Sequence, residues 1–301
     1  MTLEQLRIFA AVAENQHVTR AARSLNLAQS AASAAIAALE ARHGTKLFHR
    51  VGRGIELTEA GQLFLIEAKA VLARVEAAEL TLAELGGLKR GTLSVQASQT
   101  IASYWLPHHL VAFKRLFPEI EIRLAIGNTV QVANAVREGT AEIGFAEGIV
   151  DDPALSTAAV AQDQLVLVVA PDHDWAKLKH LYPRQLSDSA WILRERGSGT
   201  RGVFETFLKH AGFTPQSLKI LLELPSNEAV RAAVEAGLGA TVVSASVVAS
   251  SIEAGLLHRV PLDLPERAFH VVQHRERYHS LAAAALLELI TGKKKAARKG
   301  P

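Results

Sequence analysis

The chain has no cysteine among its 301 residues. This absence excludes disulfides, thiolate nucleophiles, iron–sulfur clusters and cysteine-based zinc sites. No apolar run approaches the roughly 20 residues that a membrane-spanning helix needs. The N-terminal sequence MTLEQLRIFA lacks the basic and then apolar layout of a secretory signal peptide. From these absences we expect a soluble protein of the cytoplasm that does not associate with membranes.

Sequence signatures of catalysis are also missing. There is no GxSxG nucleophile elbow, no HExxH zinc motif and no long glycine-rich nucleotide loop. The sequence GSGT at residues 197–200 resembles a phosphate loop but lacks its lysine and its spacing. The 12 histidines form no cluster with metal-ligand spacing. We therefore predict that the chain is not an enzyme and uses no cofactor or metal.

The positive charge of the chain is unevenly placed. The formal net charge is +3, but five basic residues and no acidic ones lie in the last ten residues, GKKKAARKGP. The rest of the chain holds 28 basic and 30 acidic residues. We expect the tail, residues 293–301, to be disordered and solubilising, with nonspecific attraction to DNA as the alternative.

The first sixty residues show the spacing of a helix-turn-helix followed by a small β-hairpin. Apolar residues recur at helical spacing in three segments, residues 3–14, 19–25 and 29–42. Ala21 and Ala22 are small enough for two helices to approach, and Leu25 and Leu27 can anchor the turn. Two extended segments around a glycine-flanked turn at residues 52–54 predict a wing.

The third helix and the wing carry the residues that we expect to contact DNA. Gln29, Ser30 and Ser33 lie on the leading face, from which a recognition helix reads base edges in the major groove. Residues 42–53 hold four Arg or Lys, two His and no acid, which favours phosphate contacts. We predict duplex DNA binding. The alternative is a three-helix bundle that binds no nucleic acid.

A long helix is predicted after the wing, ending at the Gly-Gly pair of residues 86–87. Its apolar residues repeat every seven positions in two rows, which are Leu57, Phe64, Val71, Ala78 and Leu85, and Gly61, Ala68, Val75 and Leu82. A period of 3.5 residues over four heptads is typical of paired helices. We predict that this helix joins two chains in a dimer. The alternative is an amphipathic helix that lies on its own domain.

From residue 92 onward, strands and helices alternate, which predicts a mostly parallel sheet covered on both faces. The predicted strands are near residues 93–97, 120–126, 143–145, 165–169, 218–224, 241–243 and 269–272. The predicted helices are near residues 101–117, 130–138, 201–210, 228–236 and 281–291. Residues 120–146 and 218–244 share one order of strand, polar turn, helix and strand. This repeat indicates two similar lobes with a cleft between them.

Polar residues at the predicted helix starts are candidates for binding a small molecule in this cleft. Backbone amides and hydroxyls at helix N-termini favour small anions and carboxylates. The candidates at the three starts are Ser98, Thr100, Asn128, Thr129, Ser198 and Thr200, and those at the rim are Glu147, Arg201, Asn227 and Ser244. Simple helix capping is the competing explanation for any single hydroxyl. Because the pattern occurs in both lobes, we expect an anionic or polar small-molecule effector.

These features together resemble the LysR-type transcriptional regulators. The resemblance rests on LEQLRIFAAVAE, TRAARSLNLAQSAASAAIAALE and GTKLFHRVGRGIELTEAG, with the long helix and the two-lobed second half. SQTIASYWLP, LAIGNT, IGFAEG and LRERGSGTR further resemble the branch that regulates carbon-dioxide-fixation and sulfur-assimilation operons. The family implies contacts to bases or backbone in the groove by Gln29 and Ser33. It implies phosphate contacts by Thr19, Arg20 and Arg50, and a wing tip at Arg53.

The resemblance also implies an architecture and partners. The expected order is a winged helix-turn-helix (1–58), a linker helix and hinge (59–90), and a two-lobed α/β effector domain of the type II periplasmic-binding-protein kind (91–292). Lobe I would hold about residues 91–161 and 268–292, and lobe II about residues 162–267. The implied partners are promoter DNA, further copies of the chain in a dimer or tetramer, RNA polymerase and the effector.

The sequence departs from the family pattern at the recognition helix. It reads Ala28-Gln29-Ser30 where Ser-Gln-Pro is usual, so residue 28 cannot cap the helix, a loss of about 1 kcal/mol. Ala34 follows where a basic or polar residue is usual, and Gln16-His17 replaces a common Gly-Ser. No operator sequence therefore carries over from relatives. The alternative functions are a cytoplasmic or periplasmic-type small-molecule-binding protein, and an enzyme with a nonspecific DNA-binding N-terminus.

Overall fold

The computed structural model describes residues 1–51, 54–84, 91–213 and 218–292. The chain forms two compact units, which divide after residue 87. The predicted wing tip at residues 52–53, the hinge at residues 85–90 and the basic tail at residues 293–301 lie outside the described residues. Within the described ranges, no helix is both long enough and apolar enough to cross a bilayer.

The first unit is a helix-turn-helix with a hairpin and a long helix. Its elements are α1 (Leu3–Asn15), α2 (Val18–Ser24), α3 (Gln29–His43), β1 (Phe48–Val51), β2 (Gly54–Leu57) and α4 (Glu59–Glu84). A capping box precedes α1 at Thr2. The Thr2 side chain accepts a hydrogen bond from the backbone amide of Gln5, and the Gln5 side chain accepts one from the backbone amide of Thr2. Gly44 ends α3 in the left-handed conformation, at φ 62°.

The core of the first unit is built around Phe9, which is fully buried. Its ring centroid lies 5.4 Å from that of Phe48 in β1 and 4.8 Å from that of Phe64 in α4. Ala21 and Ala22 are buried where α2 approaches its neighbours, as their small size predicts. The hairpin and α4 are therefore held by the same aromatic cluster as α1.

The first half of the predicted heptad seam of α4 is used inside this unit. Leu57 and Phe64 pack against the core, and Ala68 is 1 % exposed. A Cβ on Gly61 would lie 2.1 Å from the Leu47 carbonyl oxygen, so only glycine fits there. The alternative of a helix lying on its own domain is correct for these turns. The large exposed apolar side chains of α4, among those described, are Leu63, Ile66 and Val71.

The second unit contains the remaining described strands and helices. Its strands are β3 (Gly91–Ser98), β4 (Ile120–Gly127), β5 (Ile143–Glu147), β6 (Leu155–Val169), β7 (Ala190–Arg194), β8 (Lys219–Leu224), β9 (Thr241–Ser244), β10 (His258–Val260) and β11 (Glu266–His274). Its helices are α5 (Leu106–Leu116), α6 (Thr129–Glu138), α7 (Gly199–His210), α8 (Asn227–Glu235), α9 (Ala245–Glu253) and α10 (Leu281–Thr291). A π-helical turn, Ile101–Trp105, precedes α5, and two 3-10 turns are Asp174–Lys177 and Pro183–Asp188.

One long strand, β6, runs through both lobes. Its first half pairs with β11, and its second half pairs with β9 and β10. The lobe I sheet has the order β6-β11-β5-β3-β4, while the parallel pair β7-β8 joins lobe II through a bridge between Trp191 and Ala240. All pairings that involve β6, β9, β10 or β11 are antiparallel. The prediction of a mostly parallel sheet is therefore wrong, and the sheet is mixed. The chain passes from lobe I to lobe II along β6 and returns along β11, so these two strands are antiparallel.

Each lobe has its own apolar core. Lobe I packs Phe113 of α5 and Phe145 of β5 with residues of α10. Lobe II packs Trp191 of β7 against Phe204 of α7 and against Trp175, at ring distances of 4.9 and 5.9 Å. The polar groups at the strand ends between the lobes are therefore held in place by two separate cores, one in each lobe.

Candidate functional site

The leading face of α3 carries the predicted base-reading residues. Gln29 and Ser30 are exposed, and Ser33 is half-buried. Gln29 Nε2 donates a hydrogen bond to Ser33 Oγ at 3.0 Å, which leaves the amide oxygen and the second N–H of Gln29 for a partner. Ala28 makes no side-chain capping hydrogen bond, as its residue type requires. The face is exposed, polar at its start and otherwise rich in alanine.

The basic character of the wing is smaller than its sequence indicates. Lys46 Nζ lies 2.6 Å from Glu40 Oε2, and His49 Nε2 lies 3.8 Å from Glu56 Oε2. Both acids lie outside residues 42–53, so counting that segment alone missed them. Arg50 is exposed and has no ion pair among the described residues. Arg53, the predicted wing tip, lies outside the described residues.

The predicted phosphate-facing residues lie near the start of α2. Thr19 is half-buried and Arg20 is exposed. Thr19 and Arg50 line a cavity of about 340 Å³ between α2 and the hairpin. The structure therefore brings Thr19 and Arg50 to one surface.

Glu40 fixes the wing to the recognition helix. Its Oε1 accepts hydrogen bonds from the amides of Leu47 and Phe48 at 2.9 and 3.2 Å, and its Oε2 accepts one from Lys46. Burial works to raise the pKa of Glu40, but the three hydrogen bonds outweigh it and hold the pKa below its usual value. The ionised carboxylate thus stabilises the junction of α3 and β1.

Replacing Glu40 with alanine should lower the free energy of unfolding of the first unit by about 1–3 kcal/mol, because two amides lose their acceptor. Since folding lowers the pKa of Glu40, its contribution is complete above the unfolded value of 4.5 and is lost as the pH falls through the folded value. Urea unfolding of the full chain, followed by circular dichroism from pH 7 to pH 3, measures both effects.

Lys46→Met is the matched control. The Lys46 side chain is 79 % exposed, so its loss removes only an exposed ion pair and should cost under about 1 kcal/mol. Equal losses of unfolding free energy for Glu40→Ala and Lys46→Met would show that Glu40 does not stabilise the junction of α3 and β1.

In the second unit, a buried cluster lies between the two lobes and centres on Arg267. The Arg267 side chain is 2 % exposed. Its Nη1 donates to Thr200 Oγ1 at 2.9 Å, and its Nε donates to Asp163 Oδ2 at 2.6 Å. Glu147 Oε1 lies 3.7 Å from Nη1. Its Nη2 is buried and has no hydrogen-bond partner among the described residues.

Two serines complete the partners of the carboxylates in this cluster. Ser98, at the end of β3, donates a hydrogen bond to Glu147 Oε2. Ser244, at the end of β9, donates to Asp163 Oδ1 at 2.6 Å and also caps α9. Predicted rim residues Glu147 and Ser244 are therefore buried in the centre of the cluster, at 2 % and 1 % exposure.

A second chain of hydrogen bonds joins the lobes beside this cluster. Asn227 at the start of α8 donates from Nδ2 to Thr100 Oγ1 at 3.1 Å, and its Oδ1 accepts from Arg194 Nη1 at 2.6 Å. The backbone amide of Asn227 donates to Gln99 Oε1 at 2.8 Å. Asn227 and Thr100 are fully buried. Thr100 therefore binds across the cleft and does not cap its own helix.

The start of α7 lies directly against the end of β5. A Cβ on Gly199 would lie 2.0 Å from the Glu147 carbonyl oxygen and 2.6 Å from Thr129 Oγ1. Thr129 Oγ1 itself donates to that carbonyl at 2.5 Å. Gly199 thus permits an approach of the two lobes that no larger residue allows.

Two predicted site residues have partners elsewhere. Asn128 caps α6, because its Oδ1 accepts from the Gln131 amide at 3.0 Å, and its Nδ2 donates to Glu195 Oε1 of lobe II at 3.3 Å. Arg201 points into lobe II, where it binds Glu205 at 2.7 Å and also binds Glu223. Ser198 is buried at the start of α7 and makes no capping bond.

Sequence reasoning missed Arg267, Asp163 and Arg194. Arg267 and Asp163 are directly opposed in the antiparallel pairing of β11 with β6. No motif marks either residue, and the only signal is a charged residue adjoining an apolar strand. Among the described residues, no group of three or more His, Asp or Glu could hold a metal ion.

Family models match both halves of the chain. The model of the bacterial regulatory helix-turn-helix protein, lysR family, matches residues 3–62, and that of the LysR substrate binding domain matches residues 86–294. A protein of Cyanidioschyzon merolae named "Probable RuBisCO transcriptional regulator" is 34 % identical over 287 residues, 94 % of this chain and 95 % of that protein.

Solved structures match the fold of the whole chain or of its second unit. Full-length CbnR complexed with its target DNA is 25 % identical, with a TM-score of 0.71 over 96 % of this chain and 99 % of that chain. The CcmR regulatory domain of Synechocystis PCC6803, solved in complex with 2-PG, has the same fold at 24 % identity. Its TM-score is 0.62 over 67 % of this chain and 97 % of that chain.

Proposed function

Because the chain belongs to the LysR family of transcriptional regulators, we propose that it senses a small anionic metabolite between the lobes of its second unit and changes promoter activity in response. The family consists of DNA-binding regulators with an effector domain and not of enzymes. The observation that carries the proposal is the buried Arg267 guanidinium, whose Nη2 lacks a partner among the described residues.

Ligand binding at this cluster would act on both lobes at once. Arg267 lies on β11 and Ser98 ends β3, both strands of the lobe I sheet, while Thr200 and Ser198 lie at the start of α7 in lobe II. A ligand shifts a conformational equilibrium only if it binds one arrangement of the lobes better than another. A ligand held by groups of both lobes meets that condition. The 2-PG bound by the CcmR regulatory domain supports binding of a small metabolite by this fold.

The predicted effector residues, together with the three that the structure adds, divide into three groups. Groups that would contact the ligand are Ser98, Thr100, Ser198, Thr200 and Arg267. Groups that would hold those contacts in place are Thr129, Glu147, Asn227 and Ser244, with Asp163 and Arg194. Asn128 and Arg201 are satisfied by Gln131 and by acids of lobe II, so the proposal leaves them outside the contact set.

We further propose promoter contacts by the first unit. Gln29, Ser30 and Ser33 would meet base edges, and Thr19, Arg20, Arg50 and Arg53 would meet phosphates. The chain would act in the cytoplasm as a dimer or tetramer and would communicate with RNA polymerase. The exposed face of α3, with Gln29 bonded to Ser33, supports base reading by these residues.

Gln29→Ala should weaken operator binding about tenfold or more and leave binding to random DNA unchanged, because a bidentate amide contact discriminates bases by about 1–3 kcal/mol. Fluorescence anisotropy of the full chain measures this on the promoter of the adjoining gene and on random duplex, across a salt titration. If wild type shows no salt-dependent, sequence-selective binding, promoter recognition by this chain is refuted.

Arg50→Ala is the control for backbone contact. It should weaken binding to both duplexes alike and reduce the salt dependence by about one phosphate contact. Equal losses on operator and random DNA for Gln29→Ala would instead assign Gln29 to the backbone.

A further inference from the structure

The charge of the buried cluster restricts which anions it accepts. One guanidinium, that of Arg267, faces two carboxylates, those of Glu147 and Asp163. All three side chains are less than one-tenth exposed. Ionised, the cluster carries a net charge of −1. An additional anion placed at Arg267 Nη2 therefore meets a site that already has an excess of negative charge.

The two carboxylates differ in how completely they are satisfied. Both oxygens of Asp163 accept hydrogen bonds, from Ser244 and from Arg267 Nε. Only Oε2 of Glu147 accepts one, from Ser98. Glu147 Oε1 has no donor within hydrogen-bond distance among the described residues, and its nearest cationic atom is Arg267 Nη1 at 3.7 Å. Glu147 thus has an unused acceptor, and the guanidinium that its Oε1 approaches has an unused donor in Nη2.

Arg267 thus has an unused donor in Nη2, and Glu147, whose Oε1 lies 3.7 Å from Nη1 of the same guanidinium, has an unused acceptor of opposite charge. A ligand that has only acceptors can satisfy Arg267 but is repelled by Glu147 in a medium where charges are poorly screened. A ligand with an acidic group and its own donor satisfies both. Buried polar groups left unpaired are costly, so this difference determines selectivity.

We propose that this cleft selects small acids that carry their own hydrogen-bond donor, with Arg267 binding the acidic group and Glu147 accepting from the donor. The donor is a hydroxyl, as in a hydroxy acid or a protonated phosphate, or an ammonium, as in an amino acid. Anions with acceptors only, such as sulfate, are rejected. This inference rests on the proposed effector site and names the chemistry of its ligand.

Matched probes test the rule without knowledge of the natural effector. Inorganic phosphate at neutral pH keeps a P–OH donor, whereas sulfate of the same shape has none. Lactate and alanine add a hydroxyl and an ammonium to the donorless propionate and so separate the two sources of donor. Isothermal titration calorimetry of the full-length wild type should give at least about tenfold tighter binding of phosphate than of sulfate. Lactate or alanine should likewise bind tighter than propionate.

Glu147→Gln removes the negative charge and should bring the phosphate-to-sulfate affinity ratio close to one, mainly by improving sulfate binding. Arg267→Met should abolish binding of both ions. Glu205→Gln changes an acid of α7 that pairs with Arg201 outside the cluster. The phosphate-to-sulfate affinity ratio of this variant should therefore match that of wild type. Circular dichroism verifies that each variant is folded, and the wild-type ratio stands even if a variant is not.

The outcomes separate this inference from the proposed function. If phosphate and sulfate bind equally to wild type and both depend on Arg267, the cleft is an anion site and the donor rule is wrong. If wild type binds none of the five probes, the donor rule and the anionic effector both fail. A ratio that stays at the wild-type value in Glu147→Gln would remove Glu147 as the discriminating group.

Discussion

A chain carrying Gly199→Ala should lose most of its response to effector while still binding DNA. The added Cβ would lie 2.0 Å from the Glu147 carbonyl oxygen and 2.6 Å from Thr129 Oγ1. The start of α7 must therefore move away from β5, which breaks the contact of the next residue, Thr200, with Arg267. Overpacking of this kind costs about 1–3 kcal/mol, which corresponds to effector binding about 5- to 150-fold weaker.

Gly202→Ala is the matched control, because Gly202 lies on the same helix and a Cβ there would meet nothing within 4 Å. Effector titrations of operator binding by the two variants and wild type provide the comparison. Gly202→Ala should respond as wild type does. A normal response of Gly199→Ala would show that the close approach of α7 to β5 is not needed for sensing.

Leu63→Glu combined with Ile66→Glu should dissociate the dimer and weaken operator binding by about 100-fold or more. These side chains are 64 % and 46 % exposed, although apolar side chains of this size favour burial. Both heptad rows predicted as the pairing seam are already used over these turns, since Phe64, Ala68 and Gly61 face their own core, which leaves Leu63 and Ile66 outside the two rows as exposed apolar surface. Two half-sites bound by one dimer gain affinity that separate chains lack.

Light scattering coupled to gel filtration measures the mass, and anisotropy measures operator affinity. Gln62→Glu, which adds a charge at an exposed neighbouring position without removing apolar surface, serves as the control and should remain a dimer. A double variant that keeps the wild-type mass would exclude this face of α4 from pairing.

The first unit was predicted almost to the residue because its signals are local. The helical apolar spacing that predicted these helices acts within a few residues, and so do the capping box at Thr2 and the left-handed Gly44 that the structure shows at their ends. The pairing seam was harder to predict, since a heptad row shows that a side chain is buried but not by what. Phe64 obeys the heptad and nevertheless packs on Phe9 of its own chain.

The second unit shows the same limit more strongly. Hydroxyls at helix starts are visible in sequence, so Ser98, Thr100 and Thr200 were found. Arg267 and Asp163 meet only because β6 and β11 pair in one register, and no local pattern encodes that register. Two strands, β7 and β10, and one helix, α9, were missed, and β6 was predicted only in its second half. Apolar segments of this length fit a strand or a buried helix equally well.

The passage of β6 through both sheets has a consequence for the order in which this domain assembles on the ribosome. Lobe II is contiguous, and its last strand, β10, ends at Val260. Lobe I still lacks β11 and α10 at that point, and α10 supplies Ala282, Ala283 and Leu286 to its core. Lobe II can therefore complete its sheet first, and β6 then presents a finished edge on which the last strand of lobe I pairs. The cluster around Arg267 therefore forms only after lobe II, when β11 pairs with β6.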